Sequence, residues 1–160
     1  MFSQKLSQDN FPKKSHILAV DDSPDSLFLI QAILEDENYN LTLAEDGQTA
    51  LEKIEQSPPD LVLLDVMLPR MNGYEVLQHI RNNPDLPFMP ILLMTAHEEI
   101  DVAREATARA NGFLRKPFSI EDFLRQIQAL LAMKAEIKSN KTQVQSEVSE
   151  TDSYYQYFNN

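Results

Sequence analysis

The chain has 160 residues, a formal charge of −11 and no cysteine. That length suits one domain with an ordinary core plus a tail, and the missing thiols exclude disulfides, Cys-ligated zinc and thiol nucleophiles. With no basic stripe to displace counterions from phosphates, the acidity argues against a nucleic-acid surface and favours metal cations and basic protein partners.

The charge sits in one stretch. Residues 16–134 hold 9 Lys+Arg and 20 Asp+Glu, a balance of −11, while the two ends contribute +2 and −2 and cancel. The leader, residues 1–15, is polar and has no apolar core, so it does not read as a signal peptide. No apolar run is long enough to span a membrane. A soluble cytoplasmic protein is expected.

In chain order, Ile17-Leu18-Ala19-Val20 is a short apolar run that ends in Asp21 and Asp22. Ser23-Pro24 opens a helix, with a capping hydroxyl, proline in the first turn and Asp25 at the positive end. Leu29, Ile30, Ile33 and Leu34 are its expected core stripe, and Leu27 and Phe28 widen the apolar arc beyond what one face needs. Leu41–Ala44 reads as a strand, and Asp46-Gly47 turns into a helix stopped by Pro58-Pro59.

Asp60-Leu61-Val62-Leu63-Leu64-Asp65 is the central stretch. Four apolar residues ending in a carboxylate, with Pro69 and Gly73 shortly after, describe a buried parallel strand. An ionised Asp65 there needs compensation, so it is a ligand, a nucleophile or a cap of the following turn. A helix follows Asn72-Gly73. Ile91–Thr95 is a further strand, residues 100–110 an alanine-rich helix, and Gly112–Lys116 a last strand before Pro117. Ser119 caps a final helix running from Ile120 to about Lys134. Five strands alternating with five helices predict an α/β, doubly wound five-stranded parallel sheet, the flavodoxin-like sandwich. Beyond Lys138 the composition turns to Ser, Thr, Gln, Asn and Glu, which predicts a mostly disordered tail over 135–160 with room for a few more turns of the last helix.

In such a sheet the carboxyl ends of the strands share one edge. That edge collects Asp21, Asp22, Asp65, Thr95 and Lys116. Oxygen donors without Cys or a nearby His suit a hard cation, most naturally Mg2+. A cation, a lysine and a hydroxyl would stabilise a transferring phosphoryl group, with one carboxylate left as the nucleophile.

Val20-Asp21-Asp22, the Leu61–Gly73 stretch, Met94-Thr95-Ala96 and Lys116-Pro117-Phe118 resemble the four signatures of response-regulator receiver domains, the CheY-like modules of two-component signalling. The resemblance spans about His16 to Lys134. It implies that Asp65 accepts the phosphoryl group from a histidine kinase or histidine phosphotransfer protein, and that Asp22 binds Mg2+ directly and Asp21 through water, with the Met67 carbonyl as a further ligand. It also implies that Thr95 and Lys116 hold the phosphate, that Phe113 is the aromatic switch, and that the Lys116–Pro117 bond is cis. The module is expected to be stand-alone, signalling to a downstream protein rather than turning over an external product, and a homodimer through the last helix–strand–helix face fits the family.

Several residues stand apart from the family pattern. Arg109 occupies a place that is often Gly and could present a cation on the output face. Leu27 and Phe28 fall where the family is often polar, and are expected to dock the helical region of the kinase or phosphotransfer protein. Met67 and His97, each two residues past a site residue, are expected to flank the hydrolytic water. Two competing readings are weaker. A flavodoxin-like cofactor module lacks its phosphate loop after the first strand, and an aspartate-nucleophile phosphohydrolase lacks a second acid two residues after Asp65.

Overall fold

The computed structural model describes residues 12–96 and 108–157, with side chains described as far as residue 146. Five strands, β1 (His16–Val20), β2 (Asn40–Ala44), β3 (Leu61–Asp65), β4 (Ile91–Thr95) and β5 (Gly112–Arg115), form one sheet. Every pairing is parallel and the strand order is β2-β1-β3-β4-β5. The described helices are α1 (Pro24–Glu35), α2 (Gly47–Gln56), α3 (Gly73–Asn82) and α4 (Ile120–Tyr157). The helix expected over residues 100–110 falls largely outside the described residues, and its last part, Ala108-Arg109, is a turn.

β3 and β4 are buried at all five positions, because helices cover both faces and leave no side for polar residues. One apolar layer joins Leu18, Val62, Leu64 and Leu93 to Ile54 of α2 and Val76 and Leu77 of α3. The opposite layer joins Ile17, Leu63, Leu92 and Met94 to Leu34 of α1 and Phe123 and Ile127 of α4.

Helix starts follow the capping chemistry. Ser23 accepts from the Ser26 N–H, Asp46 from Thr49, and Asn72 from Glu75 in a reciprocal capping box. Ser119 Oγ accepts from the Asp122 N–H at the start of α4.

Two expectations change. On α1, Leu27 is 4% exposed and belongs to the core, whereas Leu29 is 53% exposed and faces outward. The inward positions are Leu27, Ile30 and Leu34, the i, i+3, i+7 set, so the stripe is rotated from the one drawn through Leu29. The second is the end of α4: expected at about Lys134 with room for a few more turns, it lies at Tyr157.

Gly73 lets α3 start directly beneath β3. A Cβ there would overlap the Asp65 carbonyl oxygen and lie 2.7 Å from Val66 Cα. Backbone cannot yield as a flexible side chain can, so Gly73→Ala should destabilise the fold by about 2 kcal/mol or more. Urea unfolding of the two proteins checks this; an unchanged midpoint contradicts the close approach.

Candidate functional site

Register alone assembles the site. Val20 is level with Leu64 and Asp65 with Met94, so Asp21, Asp65 and Thr95 emerge together where the chain order reverses between β1 and β3. The Lys116 N–H donates to the Thr95 carbonyl at 2.8 Å, extending β5 by one residue to the same edge. The Lys116–Pro117 peptide bond is cis.

Lys116 Nζ donates to Asp21 Oδ2 at 2.7 Å and to Asp65 Oδ2 at 2.8 Å. The other oxygen of each carboxylate accepts from the backbone two residues on: Asp21 Oδ1 from the Ser23 N–H at 2.9 Å, and Asp65 Oδ1 from the Met67 N–H at 2.8 Å. Asp21 and Asp65 are only 1% and 6% exposed, Thr95 is buried beside them, and Asp22 is exposed. The two buried acids therefore have both oxygens satisfied, as burial demands. The sequence pointed to neither backbone donor as a clamp, because any residue type supplies an N–H.

One oxygen from each of Asp21, Asp22 and Asp65 lies within 4.8 Å of the others. Three carboxylates against one ammonium leave two negative charges uncompensated, and an all-oxygen donor set suits a hard divalent cation. The cluster could hold a metal. Burial pushes the Asp65 carboxyl above its ordinary pKa and the nearby Asp21 charge adds to this, outweighing Lys116 and the Met67 N–H, which pull the other way. At Lys116 burial works downward, but bonding to Asp21 and Asp65 outweighs it and holds the ammonium above its usual value.

The remaining predicted residues scatter. Phe113 is half-buried against the α2–α3 layer, level with Leu93. The Met67 side chain is exposed at the mouth of the site, while His97 lies outside the described residues. Phe28 is 74% exposed, but Leu27 is core, so the docking pair expected on α1 reduces to Phe28. Arg109 does not simply project outward: its guanidinium donates to Asn82 Oδ1 at the end of α3 and its carbonyl accepts from Arg81 Nε. Arg81, which the sequence did not single out, also bonds the Met89 carbonyl and Asn111 Oδ1, tying α3 to the entries of β4 and β5.

The α/β sandwich thus brings buried acids, a hydroxyl and a lysine together at its switch point. Residues 17–128 match the family model described as response regulator receiver domain, and the chain belongs to that family, the receivers of two-component response regulators. The response regulator MprA of Mycobacterium leprae is 39% identical over 116 residues, 72% of this chain and 50% of that protein. The alkaline phosphatase synthesis transcriptional regulatory protein PhoP of Bacillus subtilis is 35% identical over 153 residues, covering 89% and 63%. Among solved structures, the chemotaxis protein CheY4 of Vibrio cholerae superposes with a TM-score of 0.68 at 33% identity, over 74% of this chain and 99% of that one. The chain spans about half the length of most of the curated relatives it matches.

Removing the Asp65 charge leaves Asp21 and Lys116 as a balanced pair, so Asp65→Asn should stabilise the metal-free protein at pH 7 by on the order of 1 kcal/mol. A raised folded-state pKa penalises the ionised acid at high pH and spares it below the unfolded value. The gain should therefore shrink as pH falls toward the ordinary carboxylate range. Thermal melts of both proteins from pH 7 to pH 4 test it; a gain that grows on acidification contradicts the assignment.

Proposed function

We propose that Asp65 is the phosphoryl acceptor and that the donor is a phosphohistidine on a kinase or phosphotransfer protein. The observation that carries this is the Asp21–Lys116–Asp65 bridge at the sheet's carboxyl edge. An Asp65 oxygen attacks phosphorus, the P–N bond to histidine breaks, and the imidazole nitrogen keeps the electron pair. Lys116, already on Asp65, follows the negative charge onto the phosphoryl oxygens, with Thr95 bonding another. Hydrolysis reverses the burden: water attacks phosphorus and the Asp65 carboxylate departs, at a rate we assign to Met67, exposed two residues past Asp65, and by sequence position to His97, outside the described residues.

Asp21, Asp22, Asp65 and the Met67 carbonyl are the residues that would hold Mg2+. When bound, the ion neutralises the clustered carboxylates and the transferring group's charge. The chain would then be the substrate of its own phosphorylation rather than an enzyme with an external product. Phosphorylation adds roughly −1.5 to −2 charge, and the response would pass through Thr95 to the Phe113 ring and a protein target. The face for a family-type homodimer lies partly in residues 97–107, outside the described part.

Among the described residues no helix is long and apolar enough to cross a membrane, and a cytoplasmic location fits a phosphohistidine donor. The relatives include transcriptional regulators; for these residues the acidic charge supports protein rather than nucleic-acid contact. On α1, Phe28 borders a groove of about 500 Å³ and is the anchor we assign to the donor protein.

Intact mass after treatment with a small phosphodonor and Mg2+ should show one added phosphoryl group in the parent and none in Asp65→Asn. Addition retained by the variant would move the acceptor elsewhere. Mg2+ alone should raise the melting temperature, as any ligand of the native state does, and Asp22→Ala should remove most of that rise. Phe28→Ser should slow transfer from the cognate donor while leaving small-donor phosphorylation and stability unchanged; equal slowing of both would assign Phe28 to folding instead.

A further inference from the structure

The core stripe of α4 does not stop at the domain. Phe123, Ile127 and Leu130 pack into the α1 side of the core. The same alternation of four and three residues continues through Lys134, Ile137, Lys141, Val144, Val148, Thr151 and Tyr155 on one unbroken helix. This is a seven-residue repeat, with Ile127 and Val148 in the first apolar position and Ile137 and Val144 in the second. Ile137, Asn140, Lys141, Val144 and Gln145 line an open groove along it. From residue 135 to 146 every position except Ile137 is exposed, and Val144 is 59% exposed.

That helix is poorly self-supporting. Residues 139–153 include Ser139, Asn140, Thr142, Ser146, Ser149, Thr151, Asp152 and Ser153, all weak helix formers. A segment extending about 35 Å beyond the domain depends on burying its stripe against something.

We infer that the stripe from Ile137 to Tyr155 pairs antiparallel with the same stripe of a second copy of this chain. Charge selects both occupant and direction. Residues 134–141 carry Lys134, Lys138 and Lys141 against Glu136 alone, whereas residues 147–152 carry Glu147, Glu150 and Asp152 with no cation. Lys134 is already paired with Asp60 of its own domain; a parallel pair would set Lys141 against its own copy in the seam, and Glu147 beside Asp152 at its flank. Turning one helix round sets the basic half on the acidic half. The positions of the two series then fall level with one another, 144 with 148, 137 with 155 and 141 with 151, two of the three layers apolar in sequence. Lys138 comes opposite Asp152 at the flank, twice by symmetry. Glu147 meets its own copy at the twofold axis, which limits the affinity.

Bulk gives the same direction. The domain stands on the stripe side of α4, since Phe123 and Ile127 are buried in it. In a parallel pair both domains would compete for one space; antiparallel, they sit at opposite ends.

Sedimentation of the full chain across a micromolar concentration series, with far-UV circular dichroism, tests the pairing. The expected result is a reversible shift from one chain mass to two. Val144→Asp should weaken association roughly a hundredfold and reduce the helical signal, with the domain's thermal transition intact. Lys138→Glu and Asp152→Lys should each weaken it roughly tenfold, and the double variant should recover most of the loss. A chain that stays monomeric throughout, a dimer indifferent to Val144→Asp, or a double variant no better than either single would overturn the inference.

Discussion

One lysine holds two acids that repel each other. Lys116 reaches across from β5 to Asp21 after β1 and Asp65 at the end of β3, and without it the two carboxylates would be buried with only backbone amides for company. Taking paired charges out of water rarely stabilises a fold, so the arrangement makes sense as chemistry. Burial raises the Asp65 carboxyl, the ammonium anchors it, and the exposed Asp22 adds a third anion at the rim. The cluster carries more negative charge than its one lysine offsets, so it could hold a cation, and burial disfavours the ionised form of Asp65.

The rest of the fold keeps that geometry fixed. The site residues come from β1, β3, β4 and the end of β5, so a one-residue slip in any pairing would send a site side chain to the wrong level. Continuous apolar strands resist such slips because both faces are packed. Gly73 and Asn72 start α3 against the Asp65 backbone, and the Arg81 cluster fastens the far end of α3 to the entries of β4 and β5. Neither touches the carboxylates, yet both limit how far their strands can shift.

Much of this was legible in the residues because it follows from two strong patterns. Apolar runs ending in Asp or Thr fix strand identity and strand end together, which is why Asp21, Asp65, Thr95 and Lys116 could be placed on one edge in advance. Positions whose fate depends on rotation about a helix were harder. Leu27 and Leu29 are the same residue type two apart, and only the packing of α1 shows that the first is inside. The Ser23 and Met67 amides leave no mark in a one-letter sequence. The length of α4 was less legible for a different reason: composition rich in Ser, Thr and Gln argues for disorder, while the four-three alternation of Ile137, Val144 and Val148 is compatible with continued helix.

α4 also connects to the site's strands at the opposite edge of the sheet. Its first turns lie under the core with Phe123 and Ile127, and it leaves beside Lys134, whose Nζ donates to Asp60 Oδ1 at 3.0 Å. Asp60 in turn accepts from the His16 N–H at 2.8 Å, fixing the entries of β1 and β3 together. Those are the two strands whose exits carry Asp21 and Asp65. The helix therefore departs from the amino edge while bonded to the residue that precedes β3, and extends about 35 Å beyond the domain. The same strand thus carries Asp65 at its exit and, through Asp60 at its entry, is tied to the helix packed beneath it.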